Sequence, residues 1–424
     1  MSLEKIKTVT LADVSINNKG EYGIGASAVD YSDELYTYLR ITDINDDGTL
    51  NKNDLKSVDD VDAKNYLLNE NDVVFARTGN STGKAYYYDK MDGELVYAGF
   101  LIKFSLDPSK INPKFMKYYV LSKDYKGWVN SMCTGSTRPN INAKMYGNME
   151  LILPPREQQD FLVNILGEID NKIEINKRIN KNLEQLMKCI FEDWFVNFNY
   201  SNDISFKSSE LGEIPSNWNV KKLRDVLIVL ESGKRPKGGI SNIDDGIPSI
   251  GAENILGLGK FNYSKNKLIS HEFFSTLKKG VIQDKDVLLY KDGAQLGRKS
   301  LFMKGFPFDI CCINEHVFRL QSNDEINQFY LYLWLDQEVM TNEIINLNSN
   351  SAQPGINQND VKSLPILVPE LKIISKFNKI ISPMMNQIFD NALKINKLTN
   401  LRDTLLPKLM SGEIDVSKIN CDLE

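Results

Sequence analysis

Two segments of the chain carry basic and hydrogen-bonding side chains directly after a short apolar run. In residues 72–84 and 286–298 a strand-like stretch is followed by a base, a Gly, three residues, a second Gly and another base. Arg and Lys can pair with guanine or with phosphate, and Asn and Gln can pair with adenine. The candidates in the first segment are Arg77, Thr78, Asn80, Ser81, Thr82 and Lys84. Those in the second segment and directly after it are Lys291, Gln295, Arg298 and Lys299.

A second type of loop, residues 136–142 and 351–357, also occurs twice and supplies polar groups. Its candidates are Ser136, Thr137, Arg138 and Asn140, matched by Ser351, Gln353 and Asn357. A basic turn with Lys234, Arg235 and Lys237 has no counterpart in the first half. For any one of these residues a solvated loop is the alternative interpretation. Their recurrence at corresponding places favours a nucleic-acid surface that differs in detail between two copies.

Other chemistry lacks its motif in this sequence. The only histidines, His271 and His316, have no Cys/His cluster beside them that would bind a metal. There is no G-x-x-x-x-G-K-[ST] phosphate loop, no G-x-S-x-G nucleophile motif, and no Asn/Asp-Pro-Pro-Tyr/Phe tetrapeptide of the amino-methyltransferases. We therefore expect no catalytic residue, cofactor site or metal site in this chain.

Internal repeats predict the elements that position these loops. The first loop type recurs after 214 residues, the second after 215, and the motifs at 175–180 and 395–400 are 220 apart. We infer two copies of a strand-rich module, each followed by a long helix. The predicted boundaries are 1–155 and 202–369 for the modules, and 156–201 and 370–424 for the helices with the C-terminal tail.

The long helices carry an apolar heptad seam, which is typical of a coiled coil. The predicted fold is α+β, with two similar mixed α/β domains separated by two long antiparallel helices that form a coiled-coil spacer. Asn176 with Asn180, and Asn396 with Asn400, would fix register inside the seam, although solvated asparagines beside it are the alternative. Pro383 predicts a kink or a restart with Ser382 as N-cap, and Gly412 fits a C-cap.

Composition limits the choice of function. The 424 residues include 51 Lys+Arg and 56 Asp+Glu, a net charge of −5, so only a local basic surface could bind nucleic acid. The apolar runs fall far short of the ~20 residues that cross a bilayer, so we expect no membrane contact. Five cysteines without a paired framework, and no secretory signal, favour a reduced cytoplasmic protein.

The sequence resembles the specificity (S) subunit of type I restriction–modification systems along essentially its whole length. The resemblance rests on the order of modules and helices and on four motifs: residues 154–159, 212–218, 286–288 and, above all, 401–414. It implies two target-recognition domains that each recognise half of a split double-stranded DNA sequence. It also implies two methyltransferase subunits carrying S-adenosylmethionine, ATP-dependent restriction subunits with Mg, and no catalysis in this chain.

The resemblance predicts a role in DNA methylation and in defence against foreign DNA. Because the long helices hold the modules apart, we also expect the two modules to contact half-sites about one helical turn, ~34 Å, apart. The second copy has Gln353 where the first has Arg138, Gly355 where the first has Asn140, and Pro383 within its helix. The contacts of the second loop and the helix pairing need not be identical in the two copies. An assembly scaffold for methyltransferase subunits without DNA recognition is the alternative function. A stand-alone nuclease or methyltransferase is a weaker alternative, because the motifs are missing.

Overall fold

The computed structural model describes residues 6–134, 139–201, 205–237, 239, 243–348, 354–411 and 413–414. The chain forms two compact units: unit 1 comprises Met1–Asn171 with Thr399–Glu424, and unit 2 comprises Lys172–Leu398. The division falls inside both long helices. It therefore does not test the boundaries predicted at residues 155, 201 and 369, which stay predictions.

Unit 1 is built from short strands and helices. Its strands are β1 (Lys7–Thr10), β2 (Glu21–Tyr22), β3 (Ala28–Asp30), β4 (Tyr36–Leu39), β5 (Lys56–Val58), β6 (Asp72–Ala76), β7 (Ala85–Tyr87), β8 (Leu95–Tyr97), β9 (Leu101–Ser105) and β10 (Glu150–Leu153). Its helices are α1 (Phe115–Tyr119), α2 (Lys123–Cys133), α3 (Ala143–Gly147) and the first part of α4 (Arg156–Phe195). The strands form an antiparallel sheet β2-β9-β6-β7, a mixed sheet β3-β5-β4-β8 and the pair β1-β10.

Unit 2 repeats this plan. Its strands are β11 (Phe206–Ser209), β12 (Gly212–Pro215), β13 (Asn219–Lys222), β14 (Leu227–Ser232), β15 (Ile247–Ile250), β16 (Leu268–Ile269), β17 (Asp286–Tyr290), β18 (Lys299–Phe302), β19 (Cys312–Ile313), β20 (Val317–Ser322) and β21 (Pro365–Val368). Its helices are α5 (Leu223–Val226), α6 (His271–Ser275), α7 (Gln328–Asp336), α8 (Glu338–Asn346), α9 (Gln358–Ser363) and most of α10 (Leu371–Met410). The sheet β14-β20-β17-β18 corresponds to β2-β9-β6-β7, and the pair β13-β21 to β1-β10.

A buried ion network recurs in the main sheet of each unit. In unit 1, Lys103 lies 3.3 Å from Glu21 and 3.9 Å from the buried Asp72. In unit 2, Arg319 lies 2.8 Å from Glu231 and pairs closely with Asp286. Burial raises the pKa of both aspartates, which hydrogen bonds and the neighbouring cation partly oppose. The network fixes the register of the strands that carry the first candidate loop in each unit.

The two long helices have equal lengths and are 215 residues apart. Each has 40 residues, and α10 begins and ends 215 residues after α4. The same offset relates their buried seam positions, for example Leu166 with Ile381. The 220-residue offset between the motifs at 175–180 and 395–400 is therefore not a structural correspondence, because neither helix contains an insertion relative to the other.

The helices pair in an antiparallel sense in unit 2, which confirms that part of the predicted fold. In unit 2, Asn180 bonds to Asn391, whereas Phe195, fifteen residues later, packs on Phe377 with ring centroids 4.8 Å apart. In unit 1, Asp170 lies 3.3 Å from Arg402. Apolar seam residues around these contacts are buried, as the heptad pattern predicts.

The register asparagines are only partly those predicted. Asn180 is buried and donates to the carbonyl of Ile388 at 3.1 Å, while its Oδ1 accepts from Asn391 at 2.8 Å. Asn176 bonds to the carbonyl of Lys172 in its own helix. Asn400 is exposed and Asn396 is only partly buried. The prediction that Asn396 and Asn400 fix the register inside the seam is wrong, because the helices correspond at an offset of 215 residues and Asn391 takes the buried seam position.

Helix α10 continues through Pro383, so the restart predicted there, with Ser382 as N-cap, is wrong. Pro383 has no N–H to donate to the helix, but its side chain is exposed and the helix is continuous from Leu371 to Met410. The predicted C-cap, Gly412, lies outside the described residues.

Candidate nucleic-acid interface

The loop after β6 in unit 1 is a tight turn that presents its side chains at the end of the main sheet. Gly83 donates to the carbonyl of Ala76 at 3.0 Å, and Ala76 donates to that of Lys84 at 2.8 Å. Gly83 has φ of +87°, and an added Cβ there would lie 2.4 Å from a methyl group of Val129. The Gly-x-x-x-Gly spacing thus serves the turn and its packing on α2.

The second loop type meets the first one in unit 1. Thr78 and Asn140 form an antiparallel bridge, and Ile141 donates to the carbonyl of Arg77 at 2.9 Å. Thr82 donates through Oγ1 to Gly79 at 2.7 Å and to Pro139 at 3.3 Å. We call residues 77–84 with 139–141 the unit 1 junction.

Unit 2 makes the same contact with different side chains. Asp292 and Gly355 form the bridge, Ile356 donates to the carbonyl of Lys291 at 2.9 Å, and Gly293 donates to that of Pro354 at 2.8 Å. We call residues 291–298 with 354–356 the unit 2 junction. Five predicted contacts, Ser136, Thr137, Arg138, Ser351 and Gln353, lie outside the described residues. The structure therefore brings the two loop types together in each copy.

The basic turn of unit 2 lies beside its junction. Gly233 donates to the carbonyl of Asn314 at 3.1 Å, and an added Cβ on it would lie 1.7 Å from the carbonyl oxygen of Ile313. His316, directly before β20, contacts the unit 2 junction, because the backbone N–H of Lys291 donates to the carbonyl of His316 at 3.1 Å. Arg235 lies 2.9 Å from Glu315, so this segment joins the turn to the junction.

The predicted cations differ in how freely they could meet phosphate. Lys234, Lys237 and Arg298 are exposed, and the ion pairs among the described residues include none of them. Lys84 instead lies 2.8 Å from Asp46 and donates to the carbonyl of Ile44 at 3.2 Å.

Two further cations lie over aromatic rings. Arg77 lies over the ring of Tyr22 at 5.0 Å, and Lys291 over that of Phe318 at 5.3 Å. Such contacts position a cation without neutralising it. Asn80 and Gln295 are exposed, and Ser81 is half-buried.

Two predicted contacts have a structural role instead. The Lys299 residue is only 5% exposed, and its Nζ bonds to Thr341 Oγ1 on α8. Burial lowers the pKa of Lys299 to about 8. Asn357 caps α9, because its Oδ1 accepts from the backbone of Asn359 at 2.7 Å and of Asp360 at 3.2 Å. Lys299 faces the interior of unit 2 because β18 begins there, so we leave it out of the interface.

Sequence reasoning missed residues that lie against the junctions. Phe100 accepts a backbone bond from Arg77 at 3.0 Å, as His316 does from Lys291, so the two occupy equivalent positions. Tyr22 is beside Arg77, and Asp292 is itself part of the unit 2 junction. The 216-residue offset between Phe100 and His316, close to the repeat offset, was the available signal.

Unit 1 also contains a pocket of about 400 Å³ between the β7 end, α1 and the start of α4. Two of its lysines are already paired, Lys90 with Glu70 at 2.7 Å and Lys117 with Asp170 at 2.9 Å. The pocket therefore offers alternating charges rather than a uniform surface for an anion.

Two classes of site are not found in the described part of the chain. No group of three or more His, Cys, Asp or Glu residues there could hold a metal ion. No described helix combines the length and apolar character that a membrane span needs.

A family model described as the type I restriction modification DNA specificity domain matches residues 4–185 and 215–402. The two matched segments include both junctions and most of both long helices. Each repeat of the chain thus corresponds to one copy of that domain.

Two curated relatives are restriction enzyme specificity subunits. The MjaIX specificity subunit of Methanocaldococcus jannaschii is 25% identical over 308 residues, covering 72% of this chain and 70% of the relative. The HindI specificity subunit of Haemophilus influenzae is 22% identical over 477 aligned positions, covering 96% and 99%.

The crystal structure of a type I restriction–modification S subunit from M. genitalium has a similar fold. It is 17% identical, the match covers 96% of each chain, and the TM-score is 0.55. This similarity supports the fold of the whole chain.

Proposed function

Because the family model matches most of its length, the chain belongs to the type I restriction modification DNA specificity family, and we propose that it recognises a bipartite DNA target. Each unit would recognise one half-site through its junction. One observation carries this proposal: the same two-loop junction occurs in both units, with different side chains at equivalent positions. Two domains that recognise different short DNA sequences are expected to share a backbone arrangement and to differ in the side chains that contact the bases.

The charges at the junctions support DNA as the ligand of an acidic protein. Phosphate contacts supply most of the affinity, and exposed cations at Lys234, Lys237 and Arg298 could make them in unit 2. In unit 1, Asn80 and Asn140 are exposed and could pair with adenine in the major groove. Affinity depends on these local groups rather than on the net charge of −5.

The chain would act with partners that supply the chemistry. We propose that two methyltransferase subunits carrying S-adenosylmethionine dock on it, and that ATP- and Mg-dependent restriction subunits complete the complex. The chain itself would hold no cofactor and would have no catalytic role. It would work in the cytoplasm, where it can reach DNA.

Methylation mapping tests the bipartite proposal. The chain is expressed with its methyltransferase subunit in a host that lacks other adenine methylation, and methylated adenines are mapped across the genome. We expect one motif with two specified halves and an unspecified spacer, which disappears when the chain is omitted. A single continuous motif, or the same motif without the chain, would contradict the proposal.

Binding measurements then separate DNA recognition from a scaffold role. The full chain is titrated against the mapped duplex and a scrambled duplex of equal composition at two salt concentrations. A DNA-specificity subunit should prefer the mapped duplex at both. A scaffold that only assembles methyltransferase subunits should bind both duplexes equally.

A further inference from the structure

Phe100 and His316 lie at equivalent positions against the two junctions but differ in chemistry. Each accepts a backbone hydrogen bond from the residue that begins the first loop, Arg77 at 3.0 Å and Lys291 at 3.1 Å. The neighbouring loop residue also differs, since Thr78 in unit 1 corresponds to Asp292 in unit 2. The two units therefore differ at two neighbouring positions of an otherwise equivalent backbone arrangement.

In unit 1 this position presents an uncovered aromatic ring. Phe100 is 60% exposed, although Leu101 and Ile102, which follow it in β9, are fully buried. Tyr22, whose ring lies under the Arg77 guanidinium, is 43% exposed. The unit 1 junction thus combines an apolar ring with the hydroxyl and methyl groups of Thr78, and it has no carboxylate at these positions.

In unit 2 the same position is acidic and polar. His316 Nδ1 lies 2.7 Å from Asp292 Oδ1, and its Nε2 lies 3.3 Å from Glu315 Oε1. Glu315 is itself held by Arg235 at 2.9 Å. The imidazole therefore fixes the Asp292 carboxylate in the junction, where the side chain keeps a quarter of its surface exposed.

We propose that these two positions determine the base selected in each half-site. This inference rests on the proposed DNA recognition and adds its chemistry. Phe100 with Thr78 packs against the methyl group of a thymine, because apolar side chains select thymine through this group. Asp292, positioned by His316, accepts a hydrogen bond from the N4 amino group of a cytosine, as carboxylates in the major groove do.

Uracil substitution tests the thymine contact directly. Each thymine in the unit 1 half-site is replaced in turn by uracil, which removes only the methyl group. Burial of one methyl group predicts about fourfold weaker binding at one position. The Phe100→Ala variant should bind the thymine and uracil duplexes equally within twofold, and Phe100→Leu should keep part of the difference. Ile152→Ala, an exposed apolar residue in the same unit outside the junction, is the control and should behave as wild type.

Base substitution tests the carboxylate. We expect Asp292→Asn to lower the preference for cytosine over thymine at one position of the unit 2 half-site by about tenfold or more, with the unit 1 half-site unchanged. His316→Phe should lower the same preference, because the carboxylate loses its positioning partner. The double variant Asp292→Thr/His316→Phe should favour thymine at that position.

The outcomes distinguish this inference from the proposed function. Equal binding of mapped and scrambled duplexes by the wild-type chain would overturn the proposed function. Specific binding in which Phe100→Ala keeps every thymine-to-uracil difference, and Asp292→Asn keeps the cytosine preference, would overturn this inference alone. Thermal unfolding of each variant, expected within a few degrees of wild type because these side chains are partly or largely exposed, checks that the variants fold.

Discussion

At the scale of single residues, Arg298 and Lys299 show why one of two adjacent cations in a sequence can be exposed and the other buried. Arg298 ends the junction loop and is exposed, whereas Lys299 begins β18 and points to α8. All four residues of β18 are buried, whereas Arg298 belongs to the loop before it. The residue type alone predicted both as DNA contacts, because the sequence does not show which side is covered.

Replacing Arg298 should weaken DNA binding without changing specificity. Arg298→Ala removes one phosphate contact, so affinity for mapped and scrambled duplexes should fall together. The slope of log affinity against log salt should decrease by about one. Lys207→Ala, an exposed cation in unit 2 outside the junction, is the matched control. A fall confined to the mapped duplex would show instead that Arg298 contacts a base.

Replacing Lys299 should stabilise the protein, in a manner that depends on pH. Its pKa falls from 10.5 to about 8 in the folded state because of burial, so folding below pH 8 must bury a charge. Lys299→Met should raise the free energy of unfolding by about 2–3 kcal/mol at pH 7, measured by urea unfolding.

The pH dependence has a definite sign. Between pH 8 and 10.5 the unfolded chain binds the Lys299 proton more strongly than the folded one, so wild-type stability gains with rising pH in this window. The advantage of Lys299→Met should therefore shrink through this window and vanish above it. A constant advantage would show that shape rather than charge is responsible.

At the scale of elements, sequence patterns predicted most of the strands and helices whose apolar residues recur at a regular period. The two strands that precede the junction loops, the two long helices and their antiparallel sense follow from period and repeat. The polar seam was predicted less well. Asn180 is buried as predicted, but its partner is Asn391, which corresponds to Asn176 at the 215-residue offset of the helices, and is neither Asn396 nor Asn400. A buried asparagine needs a geometric partner, which a sequence motif does not specify.

The Asn180–Asn391 pair should show strong coupling between its two members. Either Asn180→Leu or Asn391→Leu leaves a buried amide group without its partner, which should cost about 1–3 kcal/mol. The double variant removes both polar groups and should be close to wild type or more stable. Urea unfolding of the four proteins measures the coupling. Asn176→Leu, whose side chain bonds only within α4, is the control and should change stability by less than about 0.5 kcal/mol.

At the scale of the whole molecule, the duplication explains both the successes and the failures of prediction. Equivalent backbone bonds recur in both junctions, so a repeat offset was sufficient to find the loops. The side chains at equivalent positions differ, as Phe100 and His316 do, and a repeat search gives low weight to such positions. The residues that differ between the two copies are those that would distinguish the two half-sites. Base specificity is therefore the property that the similarity of the copies predicts least well.

Lengthening both long helices together tests whether they set the distance between half-sites. We insert one heptad after Asn171 in α4 and one before Thr399 in α10, at the boundary of the two units. A seven-residue insertion keeps the apolar seam, and it leaves the pairs Asp170–Arg402 and Asn180–Asn391 within their own units. Seven residues add about 10.5 Å of helix, so the spacer in the methylation motif should lengthen by about three base pairs at ~3.4 Å each.

The same mapping experiment supplies the control for this insertion. Both half-site sequences should stay unchanged, because neither junction is altered. A heptad inserted in α4 alone should misalign the seam and lower stability, since the paired residues of α10 no longer face their partners. An unchanged spacer in the matched double insertion would show that the helices do not act as a ruler. The distance between half-sites would then have to be set by contacts of the units with DNA or with the methyltransferase subunits.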